Sequence, residues 1–593
     1  MNRTILPLIV LGLLFAANPS FAQKAPPNVI LVLTDDQGIG DLSCHGNPWL
    51  KTPELDAFYQ ESVRLTDFHV SPFCTPTRAA LMTGQYPIHN GAWATYKGRD
   101  ALQPSSTTMA EVFQAQGYRT GIFGKWHLGD NYPLRPTDQG FDVAVHHHAG
   151  GVGELSDHWG NDYFDDTYYV NNESQPFEGY CTDVWFEQTM KFIEENRDRP
   201  FFAYLATNAP HSPLIVAEEY AAPYQSLEGN QIVSANLYGM IANIDENFGR
   251  LNRFLAEQGL ADNTIFIFMT DNGTNFGYTR DGKLGYNMGF RGVKGDKLEG
   301  GHRVPFFIRW PNGKISGGKD IGTLAAHVDV LPTLASLCGF ELTDSVAWDG
   351  IDLSPALQKG KDLPERNIYV HHRQDWRQPE ATNRTCIIRG KWRLINGKKL
   401  FDISQDPKQT QNVAAQYPEV VEQLLAGNSD FYELASEQPA FAELPVFIAG
   451  NETQPELKLT IQHAIGEDGG IWKPEQVAAG MKNRNNTHAL EIERAGEYEI
   501  SFRRWPKECP GPILGIPAVV PPGEFAYKAI APQVARMQIA NQILEKEIGS
   551  EDESVIFRVK LQPGKTLLVT DFVENGEAYG VYYTYVRRVD EDR

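Results

Sequence analysis

The sequence predicts an α/β catalytic unit built on a largely parallel sheet, then a small antiparallel sheet, then an appended β-sandwich. Two continuous apolar runs carry the first part: Val29-Ile30-Leu31-Val32-Leu33-Thr34 and Thr264-Ile265-Phe266-Ile267-Phe268-Met269-Thr270. Runs of that length without alternation mark central strands buried on both faces. Helix-like segments lie between them, including Thr108 to Gln116 and Asp183 to Glu195, and strand–helix alternation produces a sheet covered by helices. Towards the C-terminus, alternating segments separated by Gly, Pro and Asn replace that pattern, as in a sandwich.

Residues 1–22 read as a secretory signal, with Arg3 as the positive start, Ile5 to Ala17 as the apolar stretch and Ser20-Phe21-Ala22 as the cleavage site. The apolar run is short for a membrane anchor, and no later stretch qualifies as a transmembrane helix. The expectation is therefore an exported protein, periplasmic or extracellular. Residues 23–366 form the predicted catalytic unit. Residues 367–438 form the small sheet, with strands at Ile368 to His371, Cys386 to Arg389 and Trp392 to Ile395 and a closing helix at Pro418 to Ala426. Residues 439–593 form the sandwich, with strands at Leu457 to Ile461, Ala489 to Glu493, Tyr498 to Phe502, Val555 to Val559, Leu567 to Phe572 and Val581 to Val586.

A length of 593 residues exceeds what one core serves, and 41% hydrophobic with 22% charged residues is ordinary globular composition. Lys and Arg number 53 against 75 Asp and Glu, a net charge of −22. That balance excludes a nucleic-acid binder, which needs a basic footprint. An anionic substrate must then be drawn in by local positive charge. The six cysteines, Cys44, Cys74, Cys181, Cys338, Cys386 and Cys509, are scattered, without C-x-x-C spacing and too sparse for a disulfide scaffold.

The segment Ser71-Pro72-Phe73-Cys74-Thr75-Pro76-Thr77-Arg78-Ala79-Ala80-Leu81 carries the most chemistry. Thr75 suits an N-cap and Pro76 the first helical position. Cys74 then sits at a helix N-terminus, where free N–H groups favour an anion, and Arg78 adds a permanent charge with bidentate geometry. Read alone, this is an acidic free thiol at a helix start. Cys-x-Pro-x-Arg followed by Ala-Ala-Leu-Met-Thr-Gly, and continuing through Gly84-Gln85-Tyr86-Pro87, resembles the signature of the formylglycine-dependent sulfatases, which have an alkaline phosphatase-like fold. The resemblance implies that Cys74 is oxidised by a formylglycine-generating maturase and that the aldehyde hydrate is the nucleophile.

Both apolar runs end in acidic doublets, Asp35-Asp36 and Asp271-Asn272, and sites in such sheets form outside the carboxyl ends of strands. Three carboxylates and an amide are hard oxygen ligands, suited to Ca²⁺ or Mg²⁺ rather than zinc. The stretches Thr34-Asp35-Asp36-Gln37-Gly38 and Thr270-Asp271-Asn272-Gly273 are similar to the family's metal-binding segments. The resemblance implies Ca²⁺ there, ahead of Mg²⁺, with residue 74 as a further ligand and Asp271 as acceptor of the nucleophile's proton.

In Gly124-Lys125-Trp126-His127-Leu128-Gly129, Lys125 and His127 are two apart and share a face of an extended segment. The resemblance implies that Lys125 contacts sulfate and that His127 takes the second hydrate proton. His211, between Pro210 and Pro213, resembles the histidine that protonates the leaving alcohol. Lys294, spaced ahead of Glu299-Gly300-Gly301, resembles the second sulfate-binding lysine, although Lys297 adds a second charge nearby.

Substrate choice is less determined. His146-His147-His148, running into an aromatic stretch ending at Tyr169, forms either a rim reading sugar hydroxyls or a solvated loop. His372 and Arg373 provide either a subsite for a second sugar or a satisfied polar edge. Trp472 and Tyr579 to Tyr585 either stack on sugars or belong to strand core. The resemblance spans roughly residues 27–430 and implies a sulfated carbohydrate as substrate. Two rivals stand beside it: a phosphonate or phosphate ester hydrolase of the same superfamily, and a non-catalytic protein that binds sulfated glycans.

Overall fold

The structure, a computed structural model, describes residues 25–343, 346–518 and 526–589; the predicted signal segment lies outside the described residues. In chain order, β1 (Asn28–Thr34), β2 (Val63–Leu65), β3 (Arg119–Lys125), β4 (Val143–His147), β5 (Thr167–Val170), β6 (Glu173–Pro176), β7 (Phe201–Ala206), β8 (Thr264–Thr270), β9 (Phe306–Arg309) and β10 (Lys319–Ile321) form one sheet. Their spatial order is β10-β2-β9-β8-β1-β7-β3-β4-β5-β6. The middle of the sheet, β8-β1-β7-β3-β4, is parallel. Antiparallel strands β9, β5 and β6 flank it.

The unbroken apolar run of β1 follows from its central place. Val29, Leu31 and Leu33 enter one core with Leu81, Met82 and Leu334. Ile30 and Val32 enter the opposite core with Trp185, Phe248 and Phe268. Each fully buried side chain contributes roughly 1.5–3 kcal/mol relative to exposure. Helix α1 (Cys74–Thr83) covers the first face, and α2 (Cys181–Glu195) and α3 (Ala235–Glu257) cover the second.

The small sheet is an antiparallel meander of β11 (Ile368–His371), β12 (Thr385–Arg389), β13 (Trp392–Ile395) and β14 (Lys399–Asp402). Its closing helix α4 (Pro418–Glu437) runs beyond the predicted end at Ala426, because Phe431 and Ala435 still face its core. Beyond it, two sheets enclose a single apolar core. One has strands Phe447–Ala449, Thr487–Ile492, Gly564–Glu574, Val534–Ile539, Gln542–Glu547 and Glu577–Gly580; the other has Glu456–Thr460, Tyr583–Val589, Gly496–Arg503 and Val555–Leu561. Tyr579, Tyr582, Tyr583 and Tyr585 are buried in that core, which settles their role as strand packing.

The sandwich is keyed to the catalytic unit through polar contacts. Asn131 Nδ2 donates to the Lys458 carbonyl at 2.9 Å, and Gln454 Nε2 donates to Asn131 Oδ1 at 2.8 Å. His463 Nδ1 bonds the Asp100 carboxylate, and its Nε2 meets Ser156 Oγ at 3.1 Å and Asp130 at 3.6 Å. No helix of the described residues is long and apolar enough to cross a membrane.

Candidate active site

Strands β1 and β8 pair in parallel with Thr34 opposite Thr270, so both acidic doublets emerge side by side at the carboxyl end of the sheet. Gly273 lets this edge close up: a Cβ there would lie 1.9 Å from the Gly300 carbonyl oxygen. The Asp36 N–H donates to Asp271 Oδ1 at 3.1 Å, and Asn272 Nδ2 donates to Asp36 Oδ1 at 2.8 Å.

Helix α1 begins at Cys74, with Phe73 as its N-cap. The expected N-cap at Thr75 and first helical residue at Pro76 are corrected by two residues, and the Thr75 hydroxyl caps nothing. Cys74 still occupies the helix N-terminus, fully covered, with Sγ 3.5 Å from His127 Nδ1. His127 lies just past the end of β3 at φ 57°, its Nε2 3.2 Å from the Thr95 carbonyl. Gly150 leaves room for that ring: a Cβ there would lie 2.6 Å from His127 Cε1.

Three cations close over three carboxylates. Arg78 donates through Nη2 to Asp271 Oδ2 at 2.9 Å and through Nη1 to the Lys125 carbonyl at 3.0 Å, and lies 3.6 Å from Asp35. Lys125 bonds Asp35, and Lys294 Nζ lies 2.7 Å from Asp36 Oδ1. His211 Nδ1 bonds the Ser212 carbonyl at 2.7 Å, leaving Nε2 3.7 Å from Asp36 Oδ2. The predicted nucleophile, Arg78, Lys125, His127, His211, Lys294, and the two doublets therefore meet in one place.

The electrostatics follow from burial and crowding. Burial raises Asp35, but the permanent charges of Lys125, Arg78 and Lys294 outweigh it and hold that carboxyl below the usual range. Burial and the neighbouring charge of Asp35 push Asp271 up to about 7. Burial and Lys294 lower His211 to about 4, and burial with Lys125 and Arg78 keeps His127 far below its ordinary value. Both imidazoles are neutral at pH 7.

The donor set fits a hard divalent cation. Ligand atoms of Asp35, Cys74 and Asp271 lie within 4.8 Å of one another, as do those of Asp35, Asp36 and His211. Asp35 Oδ1 and Asn272 Oδ1 are buried without a hydrogen-bond partner, a costly state that a cation would relieve. A second cluster, His69, Glu299 and His302, is already saturated. Arg393 Nε sits 2.6 Å from Glu299, Arg303 3.0 Å from it, and His69 Nδ1 meets His302 Nδ1 at 3.0 Å.

The remaining candidates separate. His372 stacks on Phe73, the residue before Cys74, at 4.7 Å, and Arg373 is held by Asp375 at 2.7 Å. His147 and His148 do not form an open rim. His147 pairs across from Lys125 in the sheet, wholly buried, with Nδ1 2.7 Å from the His148 carbonyl, and His148 is stacked face to face on Tyr169. Strand β4 continues to His147, so the first ring enters the sheet interior and the second lies against Tyr169. Sequence reasoning did not single out Glu154, whose Oε2 accepts from the Gly150 N–H at 3.1 Å, or its partner Gln462, whose Nε2 donates to that oxygen at 2.6 Å. Glu154 is signalled only by the glycine-rich turn Gly150-Gly151-Val152-Gly153, and Gln462, 308 positions away from it in the chain, gives no local signal at all.

Comparison with known proteins agrees with this geometry. The sulfatase family model matches residues 27–340, and the model for the C-terminal part of N-sulphoglucosamine sulphohydrolase matches residues 296–429. Mouse N-acetylgalactosamine-6-sulfatase is 31% identical over 395 residues, covering 62% of this chain and 72% of that protein. Human arylsulfatase A is 31% identical over 402 residues, covering 61% and 73%. Among solved structures, Ps i-CgsB in complex with k-i-k-neocarrahexaose superposes with a TM-score of 0.63 at 26% identity, over 70% of this chain and 94% of that one. With more than half of its length matched by the family model, the chain belongs to the sulfatase family of sulfuric ester hydrolases.

Proposed function

We propose that the protein is an exported sulfatase that removes sulfate from a sulfated carbohydrate, using a formylglycine made from Cys74 by a maturase and a bound Ca²⁺, with Mg²⁺ the weaker fit. The supporting observation is the convergence of Cys74, three cations and the Asp35-Asp36/Asp271-Asn272 cradle at one sheet edge. Relatives named as N-acetylgalactosamine-6-sulfatase, and a similar structure in complex with k-i-k-neocarrahexaose, favour a carbohydrate over a simple aryl ester.

Asp35, Asp36, Asp271 and Asn272 would hold the cation, with residue 74 adjoining. Its chemistry there is Lewis-acid polarisation of the sulfuryl oxygens. Cys74 Sγ stands where the hydrate oxygens of the oxidised residue would lie, one to attack sulfur and the other to drive release. Asp271, raised to about 7 by burial and Asp35, is suited to accept the attacking hydroxyl's proton. His127, neutral and 3.5 Å from Sγ, is placed to take the second. His211 presents a free Nε2; an anionic ester beside it raises its proton affinity, so that it carries a proton to the leaving alcohol. Lys125, Lys294 and Arg78 face the charge that develops on sulfate in a dry pocket, where such groups act most strongly.

His372, beside Phe73, is our candidate for the edge of the sugar site, with Arg373 behind it. The unit boundaries that accompany this reading are residues 23–366, 367–438 and 439–593. Peptide mass spectrometry across Cys74, paired with sulfate and phosphate release assays, tests the proposal. Formylglycine with sulfate release is the expected result. An unmodified Cys74 in protein from its own host, or preferential phosphate release, overturns it.

A further inference from the structure

The sandwich sends one segment, Gln462–Trp472, to the active-site edge. Its backbone runs beside residues 97–100: the Lys97 N–H meets the Gln462 carbonyl at 3.4 Å, and His463 bonds Asp100. Its far end is fixed as well, since the Leu155 N–H donates to the Trp472 carbonyl at 3.1 Å. Between these anchors Gln462 Nε2 donates to Glu154 Oε2 at 2.6 Å, and the same oxygen accepts the Gly150 N–H at 3.1 Å.

That carboxylate borders the reaction centre. A Cβ on Gly151 would lie 3.3 Å from Glu154 Oε1 and 3.5 Å from His211 Nδ1, so Gly151 separates the two. Glu154 Oε1 has no hydrogen-bond partner among the described residues, whereas Oε2 has two. Beyond it, Trp472 is 36% exposed and pairs with Tyr96 at 6.2 Å between ring centres, 42° apart. Tyr96 follows Thr95, whose carbonyl holds His127. Gly470 keeps the pair uncovered: a Cβ there would lie 2.6 Å from Trp472 Cε3 and 3.4 Å from Tyr96 Cδ2.

We propose that segment Gln462–Trp472 forms one wall of the substrate cleft, in which Trp472 with Tyr96 stacks on a sugar ring next to the sulfated one while Glu154 accepts a hydroxyl. An aromatic face beside an open carboxylate suits a saccharide, which offers an apolar C–H face and hydroxyl donors. This rests on the sulfated-carbohydrate reading above.

The test is calorimetric titration of the full chain carrying Cys74→Ala, so that ligand is not turned over. The probes are hexasaccharides of sulfated galactan, chondroitin sulfate and heparin, each beside its sulfated monosaccharide. We expect one hexasaccharide to bind more tightly than its monosaccharide, and Trp472→Ala to weaken that hexasaccharide about tenfold, the loss seen on truncating an aromatic anchor. Trp472→Phe should restore most of it, which a folding defect would not allow. Unchanged hexasaccharide affinity in Trp472→Ala, or equal losses on both sugar lengths, overturns the wall. If no hexasaccharide or monosaccharide binds the Cys74→Ala protein, the carbohydrate reading itself falls.

Discussion

Two lysines three positions apart, Lys294 and Lys297, compete for the role of second sulfate contact, and a paired substitution separates them. The Lys294 side chain is 13% exposed, with its ammonium 2.7 and 2.9 Å from the two oxygens of Asp36. Lys297 forms no ion pair among the described residues, and its carbonyl serves His302 at 3.3 Å. Charge-assisted hydrogen bonds contribute about 1.5–3 kcal/mol each, and removing one donor aimed at developing charge costs about 2.7–4 kcal/mol, or 10²–10³ in rate. Lys294→Met should therefore lower kcat/KM for sulfate release by about 10²–10³-fold. Lys297→Met should stay within about twofold, because that half-buried ammonium pairs with no carboxylate of the site among the described residues. Ion chromatography of released sulfate gives the initial rates. Thermal melting checks the fold, since Asp36 keeps the Asn272 amide at 2.8 Å in either variant. A loss at Lys297→Met equal to that at Lys294→Met, or less than a tenfold loss at Lys294→Met in folded protein, would refute the assignment.

His463 is raised to about 10 because Asp100 and Asp130 outweigh its burial. A group raised on folding stabilises fully below its ordinary value near 6.5 and loses that contribution as pH rises towards about 10. Melting temperature should thus fall between pH 7 and 10 in the parent by more than in His463→Gln; parallel slopes in differential scanning calorimetry would contradict this. Arg393→Met strips a fully buried guanidinium from Glu299 and Asp67, so the catalytic unit should lose about 3 kcal/mol, read as a lower denaturant midpoint. Cys74→Ser should abolish sulfate turnover, since a serine ester has no second hydroxyl with which to expel sulfate; sustained turnover by that variant would exclude the hydrate mechanism.

The parallel core was legible because β1 and β8 are buried on both faces, and nothing but an unbroken apolar run satisfies that. Their acidic ends were legible for the same reason: a polar doublet closing such a run must leave the sheet at its carboxyl edge. Gln542–Glu547 was missed because it faces solvent along most of its length, so no apolar alternation marks it; Val534–Ile539 does alternate, with Ala535, Met537 and Ile539 buried, and was simply passed over. His147 and His148 were misread because a polar triplet looks like a loop, whereas Trp185 and Tyr169 provide rings for them to pack on. Glu154 with Gln462 depends on two units meeting, a relation that periodicity within either unit does not encode.

The charge balance of the site gives one more expectation. Arg78, Lys125 and Lys294 match Asp35, Asp36 and Asp271 one for one, in a chain whose net charge is −22. Screening over about 8 Å isolates the pocket from much of the surface charge, yet a pocket this near to balance, with Asp271 partly protonated at neutral pH, exerts little net pull on an anion. A divalent cation in the carboxylate cradle would tip the balance to positive and free Lys125 and Lys294 from Asp35 and Asp36 to face the ester. Inorganic sulfate should therefore bind the Cys74→Ala protein at least about tenfold more tightly in Ca²⁺ than in EDTA, a difference of about 1.4 kcal/mol. Titration at fixed ionic strength reads this directly. Equal affinities in Ca²⁺ and EDTA would mean that the three cations suffice alone and that the cradle holds them rather than a metal.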